Sequence, residues 1–471
     1  MNRPKQAVVV IHGIGEQRPM ETLRSFVDAV LPATSKSARK KYRSKPDRMS
    51  ESFELRCLQA PKDREAHRPI TEFYEYYWSH HLCDSKYSSV LSWLGGLLAR
   101  HPRNIPRKLR PIYYATCSGL LLAGVLVLWG LFDQTSQSLG VRFAALYEKQ
   151  QLYFALAVLG LQAIGSRFIL GYVADAARYL TPSPGNIDKR NKIRAEGIKL
   201  LRALHESKKY FRIVVVGHSL GSVIGYDMIR HLWVELREAH DPSPQKQPKA
   251  VDFDAVAAEL QRDPATIGAG EVEEFQHRQH ELWREHRAAG IPWLVTDFIT
   301  LGSPLTHATL LMEEDPWSFE QRKVEFEFPC CPPVPAEETH YQKNYESPVY
   351  AHPVSVRIPH HGAPFASTRW TNLFFPHRKG VLGDMIGGPL AGRFGNGILD
   401  IPVRSGHGGF LEKTLYAHVC YWKPPREESA EEEKDDSGTC SLKALRSALR
   451  LESLRAKEPW PPPTQLRPRA M

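Results

Sequence analysis

Phe211-Arg212-Ile213-Val214-Val215-Val216-Gly217-His218-Ser219-Leu220-Gly221-Ser222 is the stretch of this 471-residue chain from which the rest can be read. Its first half is an apolar, β-branched run, the signature of a buried strand. The run breaks into Gly217-His218-Ser219-Leu220-Gly221, and from Val223 to Leu232 apolar residues recur at helical spacing. A serine at a sharp strand-to-helix turn is held in a strained conformation with its hydroxyl exposed. Gly217 and Gly221 are needed there because side chains would strike the neighbouring strand and helix. The following helix adds a positive dipole end and free backbone N–H groups where negative charge would develop. Ser219 is therefore a candidate nucleophile. The plainer alternatives are a glycine-rich turn in an ordinary α/β core, or a site that has lost its chemistry and is kept for binding.

Upstream, Gln6 to Ile11 is a short apolar strand that runs into His12-Gly13-Ile14-Gly15. The glycines let the backbone bend so that an N–H, that of Ile14, points at a substrate carbonyl, with the Leu220 N–H as its counterpart. A plain strand-to-helix turn is the alternative. Glu21 to Leu31 reads as a helix and Ser35 to Arg48 as a basic, mobile loop. Phe53 to Leu58 and Ile70 to Trp78 read as strands, the second carrying an aromatic cluster suited to packing. Leading to the Ser219 turn, Ala174 to Leu204 is a polar-faced helix broken by Pro182-Ser183-Pro184-Gly185. His240 to Lys249 is a linker, Phe253 to Ala289 a charged helical excursion, and Leu294 to Leu301 a strand. Pro316 to His352 reads as irregular, and Arg369 to Phe375 and Ile398 to Val403 as the last strands.

Composition narrows the class. Hydrophobic residues make up 42%, enough for a substantial core, and the net charge of +10 suits an acidic neighbour such as membrane headgroups or nucleic acid. The basic residues are dispersed, with no zinc-finger, helix-turn-helix or phosphate-cradle spacing, which argues against nucleic acid. The 7 cysteines, at 57, 83, 117, 330, 331, 420 and 440, form neither a disulfide framework nor a metal spacing, and suit a reducing compartment. The N-terminus enters its first strand without a signal-peptide core. The histidine pairs at 80–81 and 360–361 read as surface or loop residues rather than ligands, and no carboxylate spacing supports a metal, so no metal and no cofactor is expected.

Two segments point to a membrane. Ile112 to Phe132 carries no charge and is long enough to cross a hydrocarbon layer of about 30 Å. Ala115, Gly119 and Ala123 give it a small-residue face for a partner helix. Leu152 to Val173 is a weaker partner, with Gln162 inside and Arg167 near its end. The outer flanks are basic (Arg100, Arg103, Arg107, Lys108 and Arg110; Arg178, Lys189, Arg190, Lys192 and Arg194), and the short connection is nearly neutral. The positive-inside rule then puts both flanks in the cytoplasm. A buried helical hairpin in a cap is the alternative. From Pro424 the composition shifts to an acidic run, a short amphipathic helix near Leu442 to Leu454, and a proline stretch, read together as a disordered tail.

A nucleophilic serine needs a base, and the base needs an acid. After the Trp370-Thr371-Asn372 strand the first acid is Asp384, in Gly383-Asp384-Met385-Ile386-Gly387-Gly388-Pro389, with Asp400 the alternate inside a strand pattern. Two histidines follow the last strand: His418 in His418-Val419-Cys420-Tyr421-Trp422, which is preferred, and His407 in Ser405-Gly406-His407-Gly408-Gly409.

Together the His-Gly-Ile-Gly, Gly-His-Ser-Leu-Gly, Thr300-Leu301-Gly302-Ser303-Pro304-Leu305, Trp-Thr-Asn, Gly-Asp-x-x-Gly-Gly-Pro-Leu and His-x-x-Tyr-Trp segments resemble the α/β-hydrolase superfamily. More narrowly they are similar to lipase- and esterase-like serine hydrolases of a bacterial branch with a transmembrane hairpin. The resemblance spans residues 5 to 423, and supports Asp384 and His418 as partners of Ser219. It departs at the long interval from His377 to Gly383, between strand and acid. It implies a doubly wound, mostly parallel sheet: residues 1–110 with the oxyanion strand, 111–173 the transmembrane hairpin, 174–423 the catalytic part and 424–471 the tail. The expected activity is cleavage of lipid or other acyl esters by a multi-pass inner-membrane protein with its catalytic domain in the cytoplasm. Acyl transfer with the same triad is one rival, and a non-catalytic membrane scaffold another.

Overall fold

The computed structural model describes residues 5–14, 18–31, 41–63, 67–82, 110, 114, 118, 179, 184–312, 316–334, 338–346, 349–377, 383–405, 415–423 and 439–451. The chain divides into two units, one of residues 1–81 with 187–471 and one of residues 82–186. The segments read as membrane spans fall in the second unit, almost wholly outside the described residues. Among the described residues no helix is long and apolar enough to cross a membrane.

The first unit is built on a nine-stranded sheet. Its strands are β1 (Lys5–Ile11), β2 (Arg43–Pro46), β3 (Arg56–Ala60), β4 (Ile70–Tyr76), β5 (Tyr210–His218), β6 (Val295–Leu301), β9 (Arg369–Phe374), β10 (Leu399–Arg404) and β11 (Thr439–Cys440). They lie in the order β11-β10-β9-β6-β5-β1-β4-β3-β2. From β11 across to β4 every pairing is parallel, and β3 and β2 add an antiparallel margin. Parallel strands are covered on both faces, so β5 is buried along its whole length; its centre, Ile213 to Val216, is wholly apolar, and the one buried charge before it, Arg212, faces Asp297 of β6 at 3.6 Å. This is the mixed α/β architecture with a large, mostly parallel sheet that the sequence led us to expect.

The period of two in the strands sorts side chains to two layers. Val8, Val10, Val214, Val216, Ile299, Leu301 and Leu373 face a layer that includes Leu23, Phe26 and Val27 of α1 (Glu21–Val30) and Leu442, Leu445 and Leu449 of the C-terminal helix Ser441–Leu449. On the opposite face the helix Leu220–Leu236 comes so close that a Cβ on Gly225 would meet Phe298, Ile11 and Val215 at 3.0–3.5 Å. Tyr226, Phe298, Phe365, Trp370 and Phe394 form an aromatic cluster on that side.

Three sequence expectations are corrected here. The tail is not disordered throughout: Thr439–Cys440 pairs with β10, and the helix Ser441–Leu449 buries Leu442, Ala444, Leu445, Ala448 and Leu449 against the sheet. Within the basic loop of 35–48, Arg43–Pro46 pairs with β3 as a fully exposed edge strand. The stretch of 316–352 is not irregular, since it holds a helix, Pro316–Val324, and the strand β7 (His340–Tyr345), which pairs with β8 (Val354–Pro359) in a separate hairpin. The charged excursion resolves into two helices, Pro248–Ala258 and Ala269–Ala288.

Chain order explains where a site belongs. After β1 the chain builds β2, β3 and β4 on one side, then crosses to add β5 on the other and continues outward through β6, β9 and β10. The direction of winding reverses between β1 and β5. In open parallel sheets such a switch point leaves a crevice at the carboxyl ends of the strands. Ile11 pairs with Gly217, His218 with Leu301, and Leu301 with Leu373, so the loops after these strands emerge at one level.

Candidate active site

Ser219 leaves β5 at this crevice and is the N-cap of the helix Leu220–Leu236, with φ 51° and ψ −128°. Positive φ is unfavourable for a residue with a Cβ and persists only where the surroundings enforce it. Here they do. A Cβ at Gly217 would lie 2.4 Å from the Ser222 Cα, and one at Gly221 would lie 2.3 Å from the Ile11 carbonyl oxygen, so strand, turn and helix can close up only on glycine. The Ser219 N–H donates to the Leu301 oxygen at 2.9 Å, fixing the turn to β6. The Ser219 Oγ makes no hydrogen bond to a described residue, and, contrary to the exposed hydroxyl expected from the sequence, it is buried under the packed ends of the neighbouring elements.

The loop after β1 meets this turn directly. A Cβ at Gly13 would come within 2.9 Å of the Ser219 Cβ and 3.0 Å of the His218 Nδ1. His12 is fully buried, stacked on Trp78 at 5.1 Å, with its Nδ1 2.8 Å from the Gly13 oxygen. Trp78 holds the same residue twice, its indole N–H donating to the His12 oxygen at 2.9 Å and its backbone N–H to the ring Nε2 at 3.4 Å. Burial is the main force lowering the His12 pKa to about 4. The ring is therefore neutral, with the Nδ1 proton donated to Gly13 and Nε2 accepting from Trp78. Its work is to pin the loop that carries Ile14, itself buried. The Leu220 N–H, at the first position of its helix, has no acceptor within the helix.

His418 and Asp384 stand across the same crevice. The His418 Nδ1 lies 2.9 Å from the Asp384 Oδ2, and both side chains are 1% exposed. The other oxygen of Asp384 accepts from the Ile386 and Gly387 N–H groups at 2.9 and 3.0 Å, and the Tyr421 hydroxyl donates to Oδ2 at 2.9 Å. Burial works against the carboxylate charge. The adjacent His418 ring and the donors at Gly387 and Tyr421 outweigh it and hold Asp384 well below the usual carboxylate range. A Cβ at Gly302 would lie 2.7 Å from the Tyr421 ring, 2.9 Å from Asp384 and 3.0 Å from the His418 Cε1. The residue after β6 is thus glycine because Tyr421, Asp384 and His418 pack onto its backbone.

Asp400, the alternate acid, is committed elsewhere. Its carboxylate accepts from the Leu390 and Ala391 N–H groups and from the Asn372 amide at 2.6–3.0 Å, capping the short helix Ala391–Phe394. His407, the alternate base, lies outside the described residues.

Several contributors were not singled out in the sequence. The His218 Nε2 lies 2.8 Å from the His418 backbone oxygen, and because that partner only accepts, Nε2 carries the proton. Burial, followed by the neighbouring His418, pushes the His218 pKa down to about 3, so it stays a neutral donor. Asn372 donates to the Gly388 oxygen at 2.9 Å, tying the acid loop to β9, and accepts from the Thr300 hydroxyl at 2.9 Å. The His307 Nε2 meets the Met385 oxygen at 3.0 Å from the other side. Tyr421 was visible as the last residue of His-x-x-Tyr, a spacing that puts two side chains on one side of a single turn. His218 stood inside the motif itself, with no neighbouring signal for its role.

The arrangement brings a strained serine, a neutral backbone cradle and a buried histidine–aspartate pair to one crevice. With Nδ1–H directed at Asp384, the His418 ring presents Nε2 as its basic nitrogen. Such a set can take a proton from a hydroxyl and return it to a leaving group. No protein-family model, no curated protein and no solved structure matches this chain.

Proposed function

We propose that the chain is a serine hydrolase of carboxylic esters with an α/β-hydrolase-like fold, working through an acyl-enzyme. The observation that carries this reading is the buried Asp384–His418 pair packed on Gly302, next to a serine forced into positive φ at a strand-to-helix turn. In this reading Ser219 attacks the ester carbonyl while His418 takes its proton. The N–H groups of Ile14 and Leu220 receive the oxyanion, and His418 then protonates the leaving alcohol. Water, activated by the same histidine, releases the acid. Asp384 fixes the His418 tautomer and stabilises the imidazolium. The Ser219 Oγ makes no hydrogen bond to a described residue in the free protein, and catalytic bonds of this kind often tighten only once substrate is bound.

We read the substrate as a lipid or other acyl ester and the chain as anchored in the inner membrane through residues 112–132 and 152–173, with the catalytic unit in the cytoplasm. The support is the uncharged length of these segments and their basic flanks. Acyl transfer uses the same residues and differs only in the acceptor. Hydrolysis of a short-chain p-nitrophenyl ester, measured with and without a competing alcohol, tests both points. Wild-type protein should release the phenol and Ser219→Ala should not. A constant phenol rate with acid replaced by a new ester would mark a transferase. Equal turnover by the Ser219→Ala variant would remove this site from the reaction.

A further inference from the structure

We propose that His80, His81 and Glu196 form a binding site for a divalent cation of the zinc class, separate from the serine crevice and independent of the esterase reading. The two histidines lie on the short turn Ser79–Leu82 that follows β4, and Glu196 projects from the helix Pro184–Glu206. The His81 Nε2 is 2.8 Å and the His80 Nε2 3.8 Å from the same Glu196 oxygen, and the three ligand atoms lie within 4.8 Å of one another. In a tetrahedral site with bonds of about 2.1 Å, neighbouring ligand atoms are about 3.4 Å apart, so the observed distances straddle what a shared ion requires.

The chemistry of the donors selects the ion. Two imidazoles and one carboxylate suit zinc and its neighbours, whereas calcium and magnesium call for oxygen-rich shells. The electrostatics also favour an ion. The two rings are 3.9 Å apart at their centroids, so charging both is opposed by repulsion, and the carboxylate oxygen is well placed for only one of them. A single dication between three ligands satisfies both rings in their neutral form. His81 is 12% exposed while His80 and Glu196 are each 49% exposed, which leaves a solvent side for a fourth ligand. Tyr77 stacks on the His80 ring at 5.7 Å and touches His12, and Trp78, which grips His12, is two residues from His80. An ion here would clamp the turn that supports the His12 loop to the helix Pro184–Glu206.

The test is titration of metal-free, full-length protein with zinc alone by calorimetry, and with cobalt by visible spectroscopy. We expect one equivalent of zinc to bind, cobalt bands without a thiolate charge-transfer component, and a zinc-dependent rise in melting temperature. His81→Ala and Glu196→Gln should each weaken zinc at least tenfold and remove that rise, and His360→Ala, at the other histidine pair, should do neither. The absence of a stoichiometric site, a thiolate band, or unchanged affinity in both ligand variants would overturn the proposal.

Discussion

Asp384, buried in its loop, and Asp400, half-buried at the start of β10, are the same residue type near the crevice, yet their partners differ. Asp384 receives His418, Tyr421 and two backbone N–H groups, whereas Asp400 receives backbone N–H groups and Asn372. Asp384→Asn should therefore lower ester turnover by about 10⁴-fold, as loss of the tautomer-fixing carboxylate does, with the fold retained by circular dichroism. Asp400→Asn should cost about 1–3 kcal/mol of stability through its part-buried hydrogen bonds and leave turnover within severalfold of wild type. A silent Asp384→Asn with an inactive Asp400→Asn would reverse the assignment. Sequence alone could not separate these two, because an aspartate in a glycine-rich loop is an ordinary turn former. Ser219 was legible because its strained turn demands glycines at fixed spacing. His218 was not, since its bond to the His418 oxygen spans 200 positions of chain.

At the scale of elements, the crevice depends on how closely the helix Leu220–Leu236 approaches the end of β1. A Cβ at Gly221 would lie 2.3 Å from the Ile11 oxygen and 2.5 Å from the His12 oxygen, both backbone atoms that cannot swing aside. Gly221→Ala should thus cost about 1–3 kcal/mol or more in urea unfolding and displace the His12 loop. An unchanged midpoint would mean that the two elements do not meet as described. The C-terminal helix is the other telling element. Leu445 is fully buried in the layer it shares with α1 and the sheet, so Leu445→Ala should destabilise the protein by about 2–5 kcal/mol. A tail that merely hangs in solvent would register nothing. The parallel strands were legible because burial on both faces leaves short, dense apolar stretches such as Ala7 to Ile11 and Ile213 to Val216. The hairpin β7–β8 was not, because β7, His-Tyr-Gln-Lys-Asn-Tyr, is largely solvent-facing and lacks apolar alternation. The C-terminal helix showed its amphipathic face in the sequence, but the acidic run before it masked its connection to the core.

For the molecule as a whole, buried neutral histidines set the acid limit of stability. Burial lowers His12, His205 and His340 to about 4, His218 to about 3, and His286 well below its ordinary value. The unfolded chain takes up these protons below about pH 6.5 while the folded protein refuses them until nearer pH 4. Stability is therefore complete above pH 6.5 and falls with acidification, by about 1.4 kcal/mol per pH unit for each such histidine. A urea midpoint markedly lower at pH 5.5 than at pH 7.5 is expected, and equal midpoints would contradict the neutral assignments. The proposed membrane anchor is tested on the same scale. β1 precedes residues 112–173 and the Ser219 turn follows them, and β1 pairs with β5 in one sheet, so the proposed anchor requires an even number of crossings between them. In cells lacking reactive native cysteines, Ser138→Cys should react with an impermeant thiol reagent and Ser183→Cys should not. Protection of both until lysis, with release by carbonate, would make the insertion a soluble cap. The central claim is that Ser219 is an activated nucleophile, and its most direct test is a fluorophosphonate probe followed by peptide mass spectrometry. The account predicts a single adduct on Ser219, lost in Ser219→Ala and strongly slowed in His418→Ala. An unlabelled folded protein, or an adduct on another residue, would contradict it.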